Sequence, residues 1–322
     1  MVTRNDVARV AGVSPAVVSY VLNDGPRPVA AATRQRVVAA IEALGYRRDG
    51  LARALKRGRS DTLGLVIPDI TNPFFAELAQ ASEATARARG HALLVGSAGE
   101  SDDSIRDYMQ QLAERRVDGL LVVSTLRRAI LDPIIALEIP VVGLDRPLDE
   151  VPISTVRIDN EAGAREATVH LQGHGSTEVC LLNGPSDTGV ARAREKGWRS
   201  VMPTGARSVV GDYTAPGGES AMAELLDDGP VGAVLVASDV QAIGALRELS
   251  RRGLRCPEDV ALISIDGTRA GAYAAVPLTS VVQPVELMAR VAVGLVLHPF
   301  DGPRQMVLPH RLQIRRSCGC AE

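Results

Sequence analysis

Two patterns of apolar residues divide the chain near residue 60. Before this point, apolar residues recur every three to four positions in three short segments, which predicts three helices. Thr3 and Ser14 are candidate N-caps of the first two helices, and Pro15 stands at the first position of the second. Gly12 and Gly45 are candidate stop residues of the first and third helices. Two helices joined by a short glycine-containing turn indicate a helix-turn-helix, whose second helix reads DNA.

From Thr62 onwards the pattern changes to short apolar runs that alternate with helical or loop segments. Runs of this kind, spaced by crossover connections, are typical of buried strands in a parallel sheet. We expect strands at 62–68, 91–96, 119–123, 140–144, 179–182, 233–237 and 261–265. About 260 residues is long for one open sheet, so we expect two lobes with a ligand cleft at the carboxyl ends of the strands. The predicted class is α/β: a small all-α head and a two-lobed core with parallel doubly wound sheets.

Charge is distributed unevenly along the chain, although 36 basic and 38 acidic side chains give a net charge of only -2. Residues 1–60 hold eleven basic and four acidic side chains, a local net charge of +7, which leaves -9 for residues 61–322. A basic head on an acidic body indicates that the head meets a polyanion. The segment 48–60 is strongly basic and has little apolar content, so we expect a linker that is helical only when held against a partner.

The cellular compartment is predicted from the cysteines and the N-terminus. Four scattered cysteines do not make a disulfide framework, which favours a reducing compartment. The opening MVTRNDVARV lacks the apolar core of a signal peptide, and no run approaches the ~18 apolar residues of a membrane span. We therefore expect a cytoplasmic protein with no membrane partner.

The motifs of common enzymes and metal sites are missing from the sequence. There is no glycine-rich phosphate fingerprint, no Walker lysine motif and no G-x-S-x-G elbow. His170 and His174 have helical spacing, but HLQGH lacks the metalloprotease glutamate, and Gly173 weakens the helix. Cys318 and Cys320 have no second cysteine pair nearby in the sequence, which favours a frayed tail. We expect a binding protein with no metal and no cofactor rather than an enzyme.

Several segments together resemble the LacI/GalR family of bacterial transcriptional regulators. They include NDVARVAGVSPAVVSYVLN (5–23), RQRVVAAIEALGYRRDGLARALK (34–56), LGLVIPDITNPFFAEL (63–78), ASDVQAIGALRELSRRGLRCPEDVALISIDG (237–267) and RRSCG (315–319). The resemblance covers essentially the whole chain. It implies a helix-turn-helix domain at 1–47, a hinge helix at 48–60 and an effector-binding and dimerisation core at 61–322.

For the head, the resemblance implies a homodimeric repressor that binds a palindromic operator in double-stranded DNA. Bases would be met by Pro15, Ala16 and Tyr20. Phosphates would be met by Thr3, Ser14, Ser19, Asn23 and Arg34. In the hinge, Leu55 would wedge into the minor groove and kink the duplex, with Lys56 beside it. Tyr20 departs from the arginine frequent at its position, which replaces a bidentate guanine contact by a hydroxyl or ring contact.

For the core, the resemblance implies a fold like that of periplasmic sugar-binding proteins. The two lobes would comprise about 61–158 plus 284–300 and about 159–283 plus 301–322. The effector site would be formed by Phe74, Phe75, Asp145, Arg194, Tyr213 and Asp266. An arginine and an aspartate suit adjacent hydroxyls, which favours a sugar, and a nucleobase or nucleoside is the alternative. We expect Asp159 and Asn160 to cap a helix and Trp198 to lie in the core.

Three other interpretations stay open at this point. A free-standing solute-binding protein would need an export signal, and an α/β enzyme fused to a DNA-binding head would need a nucleophile or a cofactor loop. A regulator that no longer responds to ligand is the third, because the segment between Trp198 and Gly211 is short. The lack of a heptad tail favours a dimer over a tetramer.

Overall fold

The computed structural model describes residues 2–23, 28–46, 58–99, 101–124, 128–146, 152–186 and 188–320. By its internal contacts the chain divides into one unit of residues 1–60 and a second of residues 61–322. Leu55 and Lys56 lie outside the described residues, so the contacts predicted for the hinge stay predictions. Among the described residues, no helix is both long and apolar enough to cross a bilayer.

The first unit contains three helices, α1 (Arg4–Ala11), α2 (Pro15–Asn23) and α3 (Ala31–Leu44). Thr3 forms a capping box with Asp6 at the start of α1, and Gly12 ends that helix with a φ of 64°. The turn between α1 and α2 comprises residues 12–14, as the sequence predicts. The helices pack around a small core of Val7, Ala8, Ala11, Val18, Val21, Val37 and Ala40.

The second unit alternates strands and helices. In chain order its described elements are β1 (Thr62–Ile67), α4 (Pro73–Ala88), β2 (Ala92–Ser97), α5 (Asp102–Glu114), β3 (Leu120–Val122), α6 (Arg128–Ile135), β4 (Val141–Leu144), β5 (Ser154–Ile158), α7 (Asn160–Gly173), β6 (Cys180–Asn183), α8 (Gly189–Arg199), β7 (Ser208–Val210), α9 (Ala215–Asp227), β8 (Ala233–Val236), α10 (Asp239–Arg251), β9 (Ala261–Asp266), α11 (Arg269–Ala272), β10 (Thr279–Val282), α12 (Val285–Leu297), β11 (Gln305–Leu308), β12 (Arg311–Gln313) and a 3-10 helix (Arg316–Cys318).

The strands form two six-stranded sheets, one in each lobe. The first has the order β11-β5-β4-β3-β1-β2 and the second the order β12-β10-β9-β8-β6-β7. All described pairings are parallel except that of β12 with β10. Helices cover both faces of each sheet, and apolar side chains of the central strands are buried between them, whereas the edge strands β2, β7 and β11 are largely exposed. The predicted α/β class with two parallel doubly wound sheets is confirmed.

All seven predicted strands are present, and five short ones escape the apolar pattern: β5, β7, β10, β11 and β12. The assignment of 301–322 to the second lobe is wrong in part. Residues 305–308 pair in parallel with 155–158 of the first sheet, and the second sheet takes up the chain only from Arg311. The C-terminal lobe boundary therefore falls between β11 and β12.

The C-terminal tail is ordered rather than frayed, which corrects the expectation for Cys318 and Cys320. Ser317 and Cys318 are buried. The Ser317 hydroxyl donates to the carbonyl oxygen of Leu262 at 2.7 Å and accepts from the Thr279 N–H at 2.8 Å. The tail is thus fastened to two strands of the second sheet.

Candidate functional site

A narrow cleft lies between the two lobes, at the carboxyl ends of the strands. Its lining residues are Asn72, Phe74, Phe75, Asp145 and Arg146 of the first lobe and Val190, Arg194, Tyr213, Ser238, Asp266 and Gln283 of the second. All six residues predicted for the effector site are among them. Parallel strands bring the residues that follow them to one edge of a sheet, which explains why distant segments meet here.

Arg194 is held in place by its own lobe. It lies on α8, whose N-cap is Thr188, and is only 3% exposed. Its Nε donates to Asn160 Oδ1 at 2.9 Å and its Nη1 donates to the carbonyl oxygen of Ala237 at 2.8 Å. Two fixed nitrogens orient the planar guanidinium, so its remaining donors have a defined direction for a ligand.

Asp266 ends β9 with a buried carboxylate. Gln283 Nε2 donates to its Oδ1 at 3.0 Å, and the Asp239 N–H donates to its Oδ2 at 3.4 Å. Burial raises the pKa of Asp266 well above its usual value, the nearby Arg194 opposes this shift, and Asp239 adds to it. A ligand whose hydroxyl groups donate hydrogen bonds to this carboxylate would replace the hydration that burial removes from it.

Two aspartates of the cleft have backbone conformations that favour glycine. The φ of Asp145 is 66° and that of Asp266 is 124°. Such conformations cost about 1–3 kcal/mol each and cluster at functional sites. Asp145 directly follows β4 and Asp266 is the last residue of β9, so both side chains lie at the carboxyl ends of strands.

Aromatic rings form two walls of the cleft. Asn72 Oδ1 accepts from the Phe74 N–H at 3.0 Å and so begins α4. The rings of Phe74 and Phe75 meet edge to face with centroids 5.3 Å apart, and both also pack in the core of the first lobe.

The second aromatic wall is Tyr213, whose ring lies against the backbone of Gly184. A side chain on Gly184 would lie 2.1 Å from Tyr213 Cζ. The Tyr213 hydroxyl is buried, and it makes no hydrogen bond of normal geometry to the described residues, although Thr188 is close by. A ligand would supply the missing partner.

Five lining residues are missed by the sequence analysis: Asn72, Arg146, Val190, Ser238 and Gln283. Ser238 and Gln283 follow strands β8 and β10 within two residues, so their positions carried a usable signal. Asn160 corrects another expectation. Asp159 caps α7 as predicted, but the Asn160 side chain is buried and accepts the hydrogen bond from Arg194 instead. Trp198 is fully buried, as predicted, and its Nε1 donates to the carbonyl oxygen of Val179.

The second helix of the first unit exposes the residues predicted to meet bases. Pro15 and Ala16 are exposed, and Tyr20 is half-buried. Ser14 is exposed and caps the helix, because its hydroxyl accepts from the Val17 N–H at 3.4 Å. Ser19 is half-buried on the same helix.

Two of the other residues predicted to contact phosphates, Thr3 and Arg34, already form hydrogen bonds within the protein. The Thr3 hydroxyl donates to Asp6 at 2.7 Å, so a phosphate contact would have to replace this hydrogen bond. Arg34 is exposed, and its Nη1 donates to the carbonyl oxygen of Val21 at 3.4 Å. The side chain of Asn23 lies outside the described residues.

Comparison with known proteins gives two family matches. Residues 3–49 match the model of the bacterial regulatory proteins of the lacI family. Residues 168–318 match the model of a periplasmic binding protein-like domain. The first match contains the helix-turn-helix, and the second contains all six strands of the second sheet.

Single relatives match along nearly the whole chain. The ribose operon repressor of Escherichia coli K12 is 32% identical over 94% of this chain and 94% of its own. The solved structure of the lac repressor dimer bound to operator and the anti-inducer ONPF has a TM-score of 0.87, with 28% identity over 98% of this chain and 99% of that one. The complex of the transcriptional regulator CelR with cellobiose has a TM-score of 0.72, with 33% identity over 98% and 100%.

Proposed function

The chain belongs to the lacI family of bacterial regulatory proteins, and we propose that it represses transcription by binding a palindromic operator as a homodimer. It is a DNA-binding regulator rather than an enzyme. In support, residues Pro15, Ala16 and Tyr20 lie together on the helix that follows the three-residue turn. A regulator of this kind works where the chromosome is, so we place the protein in the cytoplasm.

The operator contacts divide into two classes under this proposal. Pro15, Ala16 and Tyr20 read bases, while Thr3, Ser14, Ser19, Asn23 and Arg34 contact phosphates and set the register. In the hinge, Leu55 enters the minor groove beside Lys56. The repressor fragment 1–47 and the hinge 48–60 would then act as one DNA-binding module ahead of the core.

We propose that the cleft binds a small sugar. This proposal rests on the convergence of Arg194, Asp266 and two aromatic walls. The two oxygens of the Asp266 carboxylate can accept hydrogen bonds from the two hydroxyls of a vicinal diol, and the Arg194 guanidinium can donate hydrogen bonds to sugar oxygens. Phe74, Phe75 and Tyr213 offer apolar faces to the ring, and Asp145 adds a second carboxylate.

The size of the cleft favours a single sugar ring. The free space in the cleft is only about 20 Å³, far below the 300–1,000 Å³ that ligand pockets usually have, so a ligand needs the two lobes to separate, and a single ring needs the smaller separation. The relatives include a ribose operon repressor and a regulator in complex with cellobiose, which has two rings. We therefore favour a monosaccharide such as ribose over a disaccharide or a nucleoside.

Coupling between ligand and operator follows from the position of the cleft. A ligand that contacts both lobes favours the lobe arrangement that it bridges, and it shifts the equilibrium only by its differential affinity for the two arrangements. In a dimer, that arrangement would set the distance between the two hinges and hence the operator affinity.

Selection from random duplex DNA tests the repressor proposal. The full-length protein should enrich a palindrome with a flexible central step, and a truncation that begins at Asp61 should enrich nothing. A folded, dimeric full-length protein that enriches no sequence would contradict the proposal.

A thermal-shift panel tests the ligand. A ligand at 100 times its dissociation constant should stabilise the protein by about 2.7 kcal/mol. We expect this response from a monosaccharide, weaker responses from cellobiose and nucleosides, and no response from the Arg194→Met variant. A larger response to a nucleoside than to any sugar would replace the sugar by the alternative ligand class.

A further inference from the structure

Two histidines and two cysteines converge on the surface of the second lobe, away from the cleft. We call His170, His174, Cys318 and Cys320 the His-Cys cluster. Their ligand atoms, the two imidazole nitrogens and the two sulfurs, all lie within 4.8 Å of one another. The sequence alone predicts no metal site here, because 146 residues separate Cys320 from His174 along the chain.

The three distances that join His170, His174 and Cys320 match a tetrahedral zinc site. The Nε2 atoms of His170 and His174 are 3.2 Å apart, and Cys320 Sγ lies 3.5 Å from the first and 3.3 Å from the second. With Zn–N bonds of about 2.0–2.1 Å and Zn–S bonds of about 2.3 Å, a tetrahedron requires about 3.3 Å between nitrogens and about 3.5 Å between nitrogen and sulfur. The three measured edges therefore agree with the ideal ones within a few tenths of an ångström.

The fold brings these atoms together from two directions. His170 lies in the last turn of α7 and His174 is the C-cap residue of that helix, so both rings project from one face. Cys318 ends the 3-10 helix, and Gly319 follows with a φ of 95°. This left-handed glycine lets two cysteines only two positions apart face the same point, although zinc-binding cysteines are usually more widely spaced.

The buried cysteine is fixed by its surroundings. Cys318 is 1% exposed, and the Thr279 hydroxyl donates to its Sγ at 3.1 Å. Such a hydrogen bond is the kind of outer partner that orients a thiolate ligand. Cys320 and His170 are half-buried and His174 is exposed, so an ion can reach the cluster from solvent.

We propose that the His-Cys cluster binds one Zn²⁺ ion through all four side chains. Two thiolates and two imidazoles in a tetrahedral arrangement are a donor set that selects zinc over magnesium or calcium. Four protein ligands leave no open position, so the ion is structural. It joins the C-terminal tail to the end of α7, the helix whose first residue, Asn160, holds Arg194 in the cleft.

Cobalt substitution tests the site in the full-length protein, purified under reducing conditions with any histidine tag removed. After chelation, added Co²⁺ should give the absorption of tetrahedral cobalt with a sulfur-to-cobalt charge-transfer band that saturates at one ion per chain. Added Zn²⁺ should abolish the band, and zinc should raise the melting temperature relative to the chelated protein.

Matched variants identify the ligands. Cys320→Ser and His174→Ala alter side chains near the surface, so folding is retained, and each should weaken binding by more than about 100-fold, the most that loss of an outer partner costs. Cys180→Ser removes a thiol on β6 with no contact to the cluster and should leave the band and its stoichiometry unchanged. Asp61, His91 and Asp118 also lie close together, but this group has no sulfur and cannot give the charge-transfer band.

Three results would overturn the proposal. One is a folded, reduced protein without a charge-transfer band, which would leave the cluster as a hydrogen-bonded group only. Another is a band that survives in Cys320→Ser. The third is a disulfide between Cys318 and Cys320 in protein kept under reducing conditions.

Discussion

The substitution Gly184→Ala should damage the cleft while sparing the fold. The new Cβ would lie 2.1 Å from Cζ and 2.2 Å from the hydroxyl oxygen of Tyr213, whereas ordinary contact begins at 3.4 Å. The ring must therefore move by at least about 1.3 Å. Gly184 does not have a positive φ, so alanine fits its backbone, and the clashing atoms belong to the far end of a side chain that can rotate.

The expected loss of affinity follows from what the displaced ring and hydroxyl contribute. An aromatic contact and a neutral hydrogen bond together are worth about 1–3 kcal/mol, which is about 5- to 140-fold in the dissociation constant. Isothermal titration with the monosaccharide selected by thermal shift, D-ribose first, measures this loss. Tyr213→Phe keeps the ring and removes the hydroxyl, so its smaller loss separates the two contributions.

The control variant is Gly218→Ala. Its Cβ would lie 2.1 Å from the carbonyl oxygen of Gln241, a backbone atom that cannot rotate away. Overpacking of this kind costs about 1–3 kcal/mol of unfolding free energy or more. Wild-type sugar affinity in Gly184→Ala, or equal destabilisation of the two glycine variants in urea, would refute the assignment of Tyr213 to the ligand.

Four further outcomes are expected. Gly244→Ala places a Cβ 1.8 Å from the Ala215 carbonyl oxygen, so urea titration should show a loss of about 1–3 kcal/mol or more; unchanged stability would contradict the close approach of α9 and α10. Arg34→Gln should weaken binding to all DNA sequences alike and reduce the slope of log affinity against log salt by about one. Tyr20→Phe should cost about 1–3 kcal/mol at one operator position and spare nonspecific binding, and equal loss of both would argue against base reading. Hydrogen bonds from two arginines lower the pKa of Glu248 to about 2, so the stability that this group contributes is present above about pH 4.5 and is lost as pH falls towards 2. The Glu248→Gln variant should therefore have a lower melting temperature than the wild type at pH 7, and the difference in melting temperature should shrink on acidification.

The fold could be predicted wherever burial leaves a local pattern. Several helix boundaries of the head can be read from the sequence: Thr3 caps α1, and the left-handed glycines Gly12 and Gly45 end α1 and α3. Six of the seven predicted strands lie inside their sheets, and their residues are apolar because both faces are covered. The seventh, β2, is a largely exposed edge strand that was found from its apolar run alone. The edge strand β11 was missed because its apolar run is only three residues long, and three of its four residues are exposed. Its lobe was assigned wrongly because strand pairing between residues 150 positions apart leaves no local pattern.

Residues of the cleft could be predicted where a polar side chain stands at the end of a predicted strand. Asp145 and Asp266 directly follow the predicted strands 140–144 and 261–265. Their positions alone place them at the carboxyl ends of the strands, where ligands bind in open α/β sheets. Asn160 carries a cap signal like that of Asp159, and only the tertiary structure shows that its oxygen accepts from Arg194 instead. The His-Cys cluster escaped for the same reason, since no spacing rule links two residues at the end of a helix to two in the tail.

The distribution of polar contacts indicates how the cleft would take up its ligand. Arg194 is fixed by Asn160 and Ala237, and Asp266 by Gln283 and Asp239, all within the second lobe. The hydrogen-bonding anchors are therefore already positioned by that lobe alone, and little conformational entropy is lost when they bind. The first lobe adds Asp145 and the rings of Phe74 and Phe75, and the apolar attraction of the rings has no fixed direction. A sugar would then dock on the second lobe first, and closure of the first lobe over its apolar face would convert binding into the change of lobe arrangement that the operator senses.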